Sequence, residues 1–131
     1  MRRTILGLGL TAALAASAGE PKCPRDQVWS VERDSITRKK TGQGCTTKTD
    51  GGRDLREGKW VFYFASGKKE SEATYVAGKK EGVATWYWEN GRKKSQYTYR
   101  ADQMNGPSTT WNERGVKTSE QEYKDDNLVA P

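Results

Sequence analysis

Glu70 and Glu72 have the spacing that puts two carboxylates on one face of an extended strand. A general acid and a general base can be made from such a pair when their surroundings drive the two pKa values apart. The nearby composition supplies no apolar pocket for that separation. In the corresponding places 24 residues on stand Lys94 and Gln96, so the pair is not a repeated device and reads as solvated charge beside a ring, Tyr63. Ser71, Ser95 and Ser119 recur at the same interval, but a nucleophilic serine needs a base, and the chain contains no histidine. They read as small residues between rings. Asp125-Asp126-Asn127 offers too few oxygens for a calcium loop. No catalytic residue, metal or cofactor is expected.

The two cysteines, Cys23 and Cys45, lack the Cys-x-x-Cys spacing of a redox pair and read as a structural disulfide, whose loop closure contributes about 3 kcal/mol. Pairing implies an oxidising compartment. The N-terminus agrees: Arg2 and Arg3 precede an apolar run from Ile5 to Ala16 that ends in Ala16-Ser17-Ala18, the order of a secretory signal peptide cleaved after Ala18. The run is shorter than the roughly 20 residues of a membrane-spanning helix. The processed chain is therefore expected to be exported, periplasmic or extracellular, and not transmembrane. Part of the net charge of +6 leaves with the leader, and the remaining lysines read as solubilising charge with no nucleic-acid partner.

What must position any functional group is a repeat. Gly58, Gly82 and Gly106 are spaced by 24, as are Gly67, Gly91 and Gly115, and the interval also holds for Tyr63, Tyr87 and Trp111, for Lys69, Lys93 and Lys117, and for Tyr75, Tyr99 and Tyr123. Three units follow, 57–80, 81–104 and 105–128, after a signal peptide over 1–18 and an N-terminal segment over 19–56 that carries the disulfide. Aromatic and β-branched runs bounded by glycine predict two short strands per unit. Ser66-Gly67, Asn90-Gly91 and Arg114-Gly115 predict two-residue hairpin turns at the unit centres. The expected fold is all-β: an extended antiparallel hairpin array, a meander forming one twisted sheet, with the disulfide-stapled segment as a cap. Between Cys45 and Arg56 the chain resembles the worn end of an earlier unit.

Two-residue turns fix which residues face each other. One face then carries Trp60, Phe62, Phe64, Ser71, Ala73 and Tyr75 in the first unit, and Trp88 opposite Lys93, Trp86 opposite Ser95 and Ala84 opposite Tyr97 in the second. Aliphatic residues are few, so the core must be aromatic. The third unit has Ser108, Thr110 and Asn112 in these places and suits a soluble end. The reverse face is polar except for one ring per unit: Tyr63 flanked by Glu70 and Glu72, Tyr87 flanked by Lys94 and Gln96, and Trp111. This column reads either as a binding ladder for an extended partner or as a second thin core. The basic groups Lys68-Lys69, Lys79-Lys80 and Arg92-Lys93-Lys94 fall near turns, where they line one edge or block edge-to-edge aggregation.

The columns Gly-x-x-x-x-Tyr/Trp-x-x-x-Gly-x-x-x-Ser-x-x-x-Tyr, from Glu57 to about Asp126, resemble the variant MORN repeat of bacterial antitoxin-component-like proteins. The resemblance implies a β-hairpin array used for binding or scaffolding, with no catalytic residues to carry over and antitoxin activity in some members. The export signal and the cysteine segment depart from that pattern. The expected function is an exported, non-enzymatic protein-protein interaction or scaffold module, inhibitor- or immunity-like as a special case. The alternative is a cell-envelope module that binds a glycan or anionic lipid.

Overall fold

The computed structural model describes residues 22–129. The expected signal peptide, 1–18, lies outside the described residues. Ten strands form one sheet: β1 (Val28–Arg33), β2 (Lys40–Lys48), β3 (Asp54–Tyr63), β4 (Lys69–Val76), β5 (Lys79–Lys80), β6 (Gly82–Tyr87), β7 (Lys93–Arg100), β8 (Gln103–Trp111), β9 (Lys117–Lys124) and β10 (Asn127–Leu128). All pairings are antiparallel and the strands follow chain order across the sheet, except that β4 pairs with both β6 and the two-residue β5, which lies off that path. This is the expected meander in a single sheet. No helix occurs among the described residues.

The turns differ from expectation, in a way that leaves the faces intact. At the centre of the second unit the Trp88 N–H donates to the Arg92 carbonyl at 2.8 Å and the Gly91 N–H to the Trp88 carbonyl at 2.9 Å. The loop is therefore three residues, Glu89-Asn90-Gly91, with only Gly91 in the left-handed region at φ 85°. Phe64 to Lys68 and Asn112 to Val116 repeat it. Because glycine alone needs positive φ, the residue before it is free to be Ser66, Asn90 or Arg114. The two-residue turns with both residues at positive φ lie between units instead, at Ala77-Gly78, Ala101-Asp102 and Asp125-Asp126.

A three-residue loop shifts the pairing by one, so Tyr87, not Trp88, lies opposite Lys93. A β-bulge at Lys94 then restores the register, and Trp86 faces Ser95 and Ala84 faces Tyr97 as expected. Glu70 and Thr118 occupy the bulge position in the other two units. Phe64 and Trp88, on the loop side of the bulge, stand outside the core cluster.

The N-terminal segment is itself a bulged hairpin, with a four-residue loop, 35–38, closed by the Asp34 N–H donating to the Lys39 carbonyl at 2.9 Å. Val28 to Glu32 pair with Thr46 to Gly42, and the register shifts between Glu32 and Arg33 with Thr41 as the extra residue, the same bulge in the same place. Its second strand, β2, lies beside β3, and Arg33 stands in the column of Tyr63, Tyr87 and Trp111. The Cys23–Cys45 disulfide is formed, with Cα atoms 5.8 Å apart, and ties the chain ahead of β1 to β2.

The core lies on one face and is aromatic. Trp60 is fully buried and Ala84 is 1% exposed, with Ala73 and Tyr75 buried and Phe62, Trp86 and Tyr99 packed around them. Large and small residues alternate across the strands: Phe62 faces Ser71, Ser71 faces Trp86, and Trp86 faces Ser95. Ser71 and Ser95 are buried between rings, which is the packing that a one-layer aromatic core requires. The indole of Trp60 lies over Gly44 of β2 and donates its Nε1–H to the Cys45 carbonyl at 2.8 Å. Above the cluster the Arg56 guanidinium sits 5.0 Å from the Trp60 ring centre, 5.1 Å from that of Phe62 and 5.5 Å from that of Tyr75, held there by Glu32 at 2.7 Å.

Candidate functional site

Strand alternation puts Tyr63, Tyr87 and Trp111 on the face opposite the core. All three are half-buried. Each ring leans toward the preceding hairpin, where diagonal neighbours on the adjacent strand come within reach. The Tyr63 hydroxyl accepts from Gln43 Nε2 at 2.7 Å, and Lys40 Nζ lies 4.3 Å from the centre of its ring. The Tyr87 hydroxyl donates to Glu72 Oε1 at 2.9 Å, with Lys69 Nζ 4.6 Å from its ring centre. Lys93 Nζ is 5.8 Å from the ring centre of Trp111. Lys40, Lys69 and Lys93 hold one position in successive hairpins, each opposite the ring-column residue of its own hairpin. The surface is thus a repeated seat: a ring, and a lysine from the hairpin before it.

The residues expected to flank the rings are arranged differently. Glu72 serves Tyr87, not Tyr63, and also takes Lys69 at 3.0 Å and Lys59 at 3.3 Å. Glu70 is the bulge residue opposite Tyr63, half-buried. Lys94 turns to Trp88, 4.7 Å from its ring centre, and Gln96 donates to Thr85 at 3.1 Å. The cause is the bulge together with the lean of the rings, neither of which a two-residue turn implies. Lys40 and Gln43 escaped sequence reading because Arg33, not an aromatic, holds the ring-column position of the first hairpin. The lysine column 69, 93, 117 was the signal that pointed to the seat.

Glu72 is the electrostatic centre of this face. Burial pushes its carboxyl up, but hydrogen bonds from Lys69, Tyr87 and Lys59 outweigh that and hold it below the usual carboxylate value. The bond to Glu72 raises the Lys69 ammonium, and burial followed by the same carboxylate raises the Tyr87 phenol. A depressed folded pKa means that the stabilisation is complete above the unfolded value, near 4.5, and disappears as the pH falls through the lower folded one. Wild-type and Glu72→Gln proteins are therefore expected to have different urea midpoints near neutrality and the same midpoint in strong acid. A gap that persists in acid would assign the effect of the substitution to packing.

The clefts on this face are shallow. Tyr87 walls two of them, one of about 440 Å³ with Lys68, Lys69 and Asn90, and one of about 320 Å³ with Phe64, Trp88, Lys94 and Glu113. A third, of about 390 Å³, opens beside the disulfide between Pro24, Trp29, Cys45 and Val61. Open clefts of this kind offer contact area along the face.

No curated protein matches the chain. Residues 56–77 and 80–101 each match the family described as MORN repeat variant, and the two matches begin 24 residues apart, at Arg56 and Lys80, so the first two 24-residue units are similar to MORN variant repeats.

Proposed function

We propose that the protein is an exported, non-enzymatic interaction module that binds a protein partner along the face bearing Tyr63, Tyr87 and Trp111. The observation that carries this reading is the repeated ring-and-lysine seat, set hairpin by hairpin along one face of the sheet. Rings give a partner large contact area at low entropic cost, and the lysines beside them give it direction. The closed Cys23–Cys45 bond supports an oxidising compartment outside the cytoplasm, periplasmic or extracellular. An inhibitor- or immunity-like role is a special case of the same contact. The test is cross-linking in the native envelope with wild-type protein and with the Tyr63→Ala/Tyr87→Ala/Trp111→Ala variant, after circular dichroism has shown both to be folded. The variant is expected to lose the partners that the wild type captures. Recovery of the same proteins by both would overturn the reading.

A further inference from the structure

A meander sends its turns alternately to two rims of the sheet, and here the rims differ in charge. The four hairpin tips, residues 33–40, 63–69, 87–94 and 111–118, lie on one rim and carry eleven Lys or Arg against three Asp or Glu. The connecting turns, 48–54, 76–81, 100–103 and 124–127, lie on the other and balance six against six. Lys79-Lys80 thus falls on the opposite rim from Lys68-Lys69 and Arg92-Lys93-Lys94. Several carboxylates at the balanced rim serve the backbone: Glu81 accepts the Ala101 N–H at 2.9 Å, and Asp102 and Asp126 accept those of Lys80 and Met104 at 2.8 and 2.7 Å. On the tip rim Arg38, Lys68, Arg92 and Arg114 form no ion pair with any described residue.

The tips are also held in rank. Lys39 Nζ donates to the Ala65 carbonyl at 3.2 Å, Ser66 Oγ to Glu89 at 3.0 Å, and Asn90 Nδ2 to the Glu113 carbonyl at 2.8 Å. Each tip is two strands from the next, or about 10 Å. We infer that this rim docks a linear anionic polysaccharide carrying one acidic group per disaccharide, a repeat of comparable length. Cations spaced by more than the Debye length of about 8 Å act almost independently. A small anion therefore gains from one tip only, whereas a chain that meets every tip adds their effects and releases counterions at each. An extended polypeptide advances roughly 3.3 Å per residue and would need acids at every third position to match. The rim shares Lys40, Lys69 and Lys93 with the ring face, so the inference is tested at Lys68, Arg92 and Arg114, which belong to no ring-and-lysine seat.

The test uses immobilised hyaluronate, a polymer with one carboxylate per disaccharide, and the whole exported chain. Wild-type protein is expected to bind with an affinity that falls as salt rises. Lys68→Glu/Arg92→Glu/Arg114→Glu is expected to weaken binding by roughly tenfold or more. Lys48→Glu/Lys79→Glu/Arg100→Glu changes the net charge equally on the other rim and is expected to have little effect. Equal loss in both variants would reduce the effect to net charge and overturn the proposal. So would binding to poly-glutamate, or to vesicles containing anionic lipid, as tight as that to hyaluronate. A tip variant that loses hyaluronate and keeps its cross-linked protein partner would separate this surface from the ring face.

Discussion

Trp60→Ala is expected to destabilise the protein by about 3–5 kcal/mol and Gly44→Ala by about 1–3 kcal/mol, with the double variant no less stable than Trp60→Ala alone. Trp60 is the largest fully buried side chain among the described residues, whose strands form one sheet with no second layer among them to collapse into the space it leaves. Gly44 is the floor beneath it: a Cβ there would stand 2.5 Å from the indole Cδ1 and Nε1. The indole cannot move aside without giving up its bond to the Cys45 carbonyl or the contact with Arg56. Removing the indole removes the obstacle, so the two costs cannot add. Urea unfolding of the two single variants and the double one measures the coupling. Additive losses would show that Gly44 is required for a reason other than the ring above it.

Reduction of the disulfide, or Cys23→Ser/Cys45→Ser, is expected to remove about 3 kcal/mol. The described residues ahead of β1, 22–27, make one turn bond, Gln27 N–H to the Pro24 carbonyl at 2.9 Å. Cys45 lies opposite Trp29 in the first hairpin, so the bond fastens the chain over the cleft formed by Pro24, Trp29 and Val61. Without it the first hairpin becomes the least protected part of the sheet. Hydrogen exchange should then speed up in β1 and the outer half of β2 and change little from β6 onward. Unchanged exchange and an unchanged urea midpoint would show that the segment holds itself in place.

The architecture was legible because it repeats: six columns at one interval fixed strand, turn and strand three times over, and side-chain size told which face was buried. Ser71 and Ser95 were readable as spacers between rings for the same reason. The first hairpin was harder to see. Its equivalent positions lie 30 residues before those of the next unit in the first strand, as Val28 to Gly58 shows, and 29 in the second, as Thr46 to Tyr75 shows, and Glu32, Gly42 and Thr46 stand where the next unit has Phe62, Ser71 and Tyr75. Backbone pairing survives such exchanges, because the ladder uses main-chain atoms, but the sequence signal does not. The turn type was misjudged because Asn-Gly suits two loop lengths, and the bulge that compensates for the longer one leaves no residue-type signature: Glu70, Lys94 and Thr118 share no chemistry. The flanking roles of Glu72 and Lys94 went astray with it. The ring column itself needed only alternation, which the loop and bulge together preserve.

Since the strands follow chain order across the sheet, with only the two-residue β5 off that path, a load applied to the two ends would meet the ladder one rung at a time. Strands so arranged peel like a zipper and do not resist as a sheared block. Extension should proceed in steps of one hairpin at modest force, beginning from the C-terminal end, where the aromatic layer thins out. The cystine near the other end would keep most of the first hairpin out of the extended length, so a stretched molecule would stop short by the span between Cys23 and Cys45.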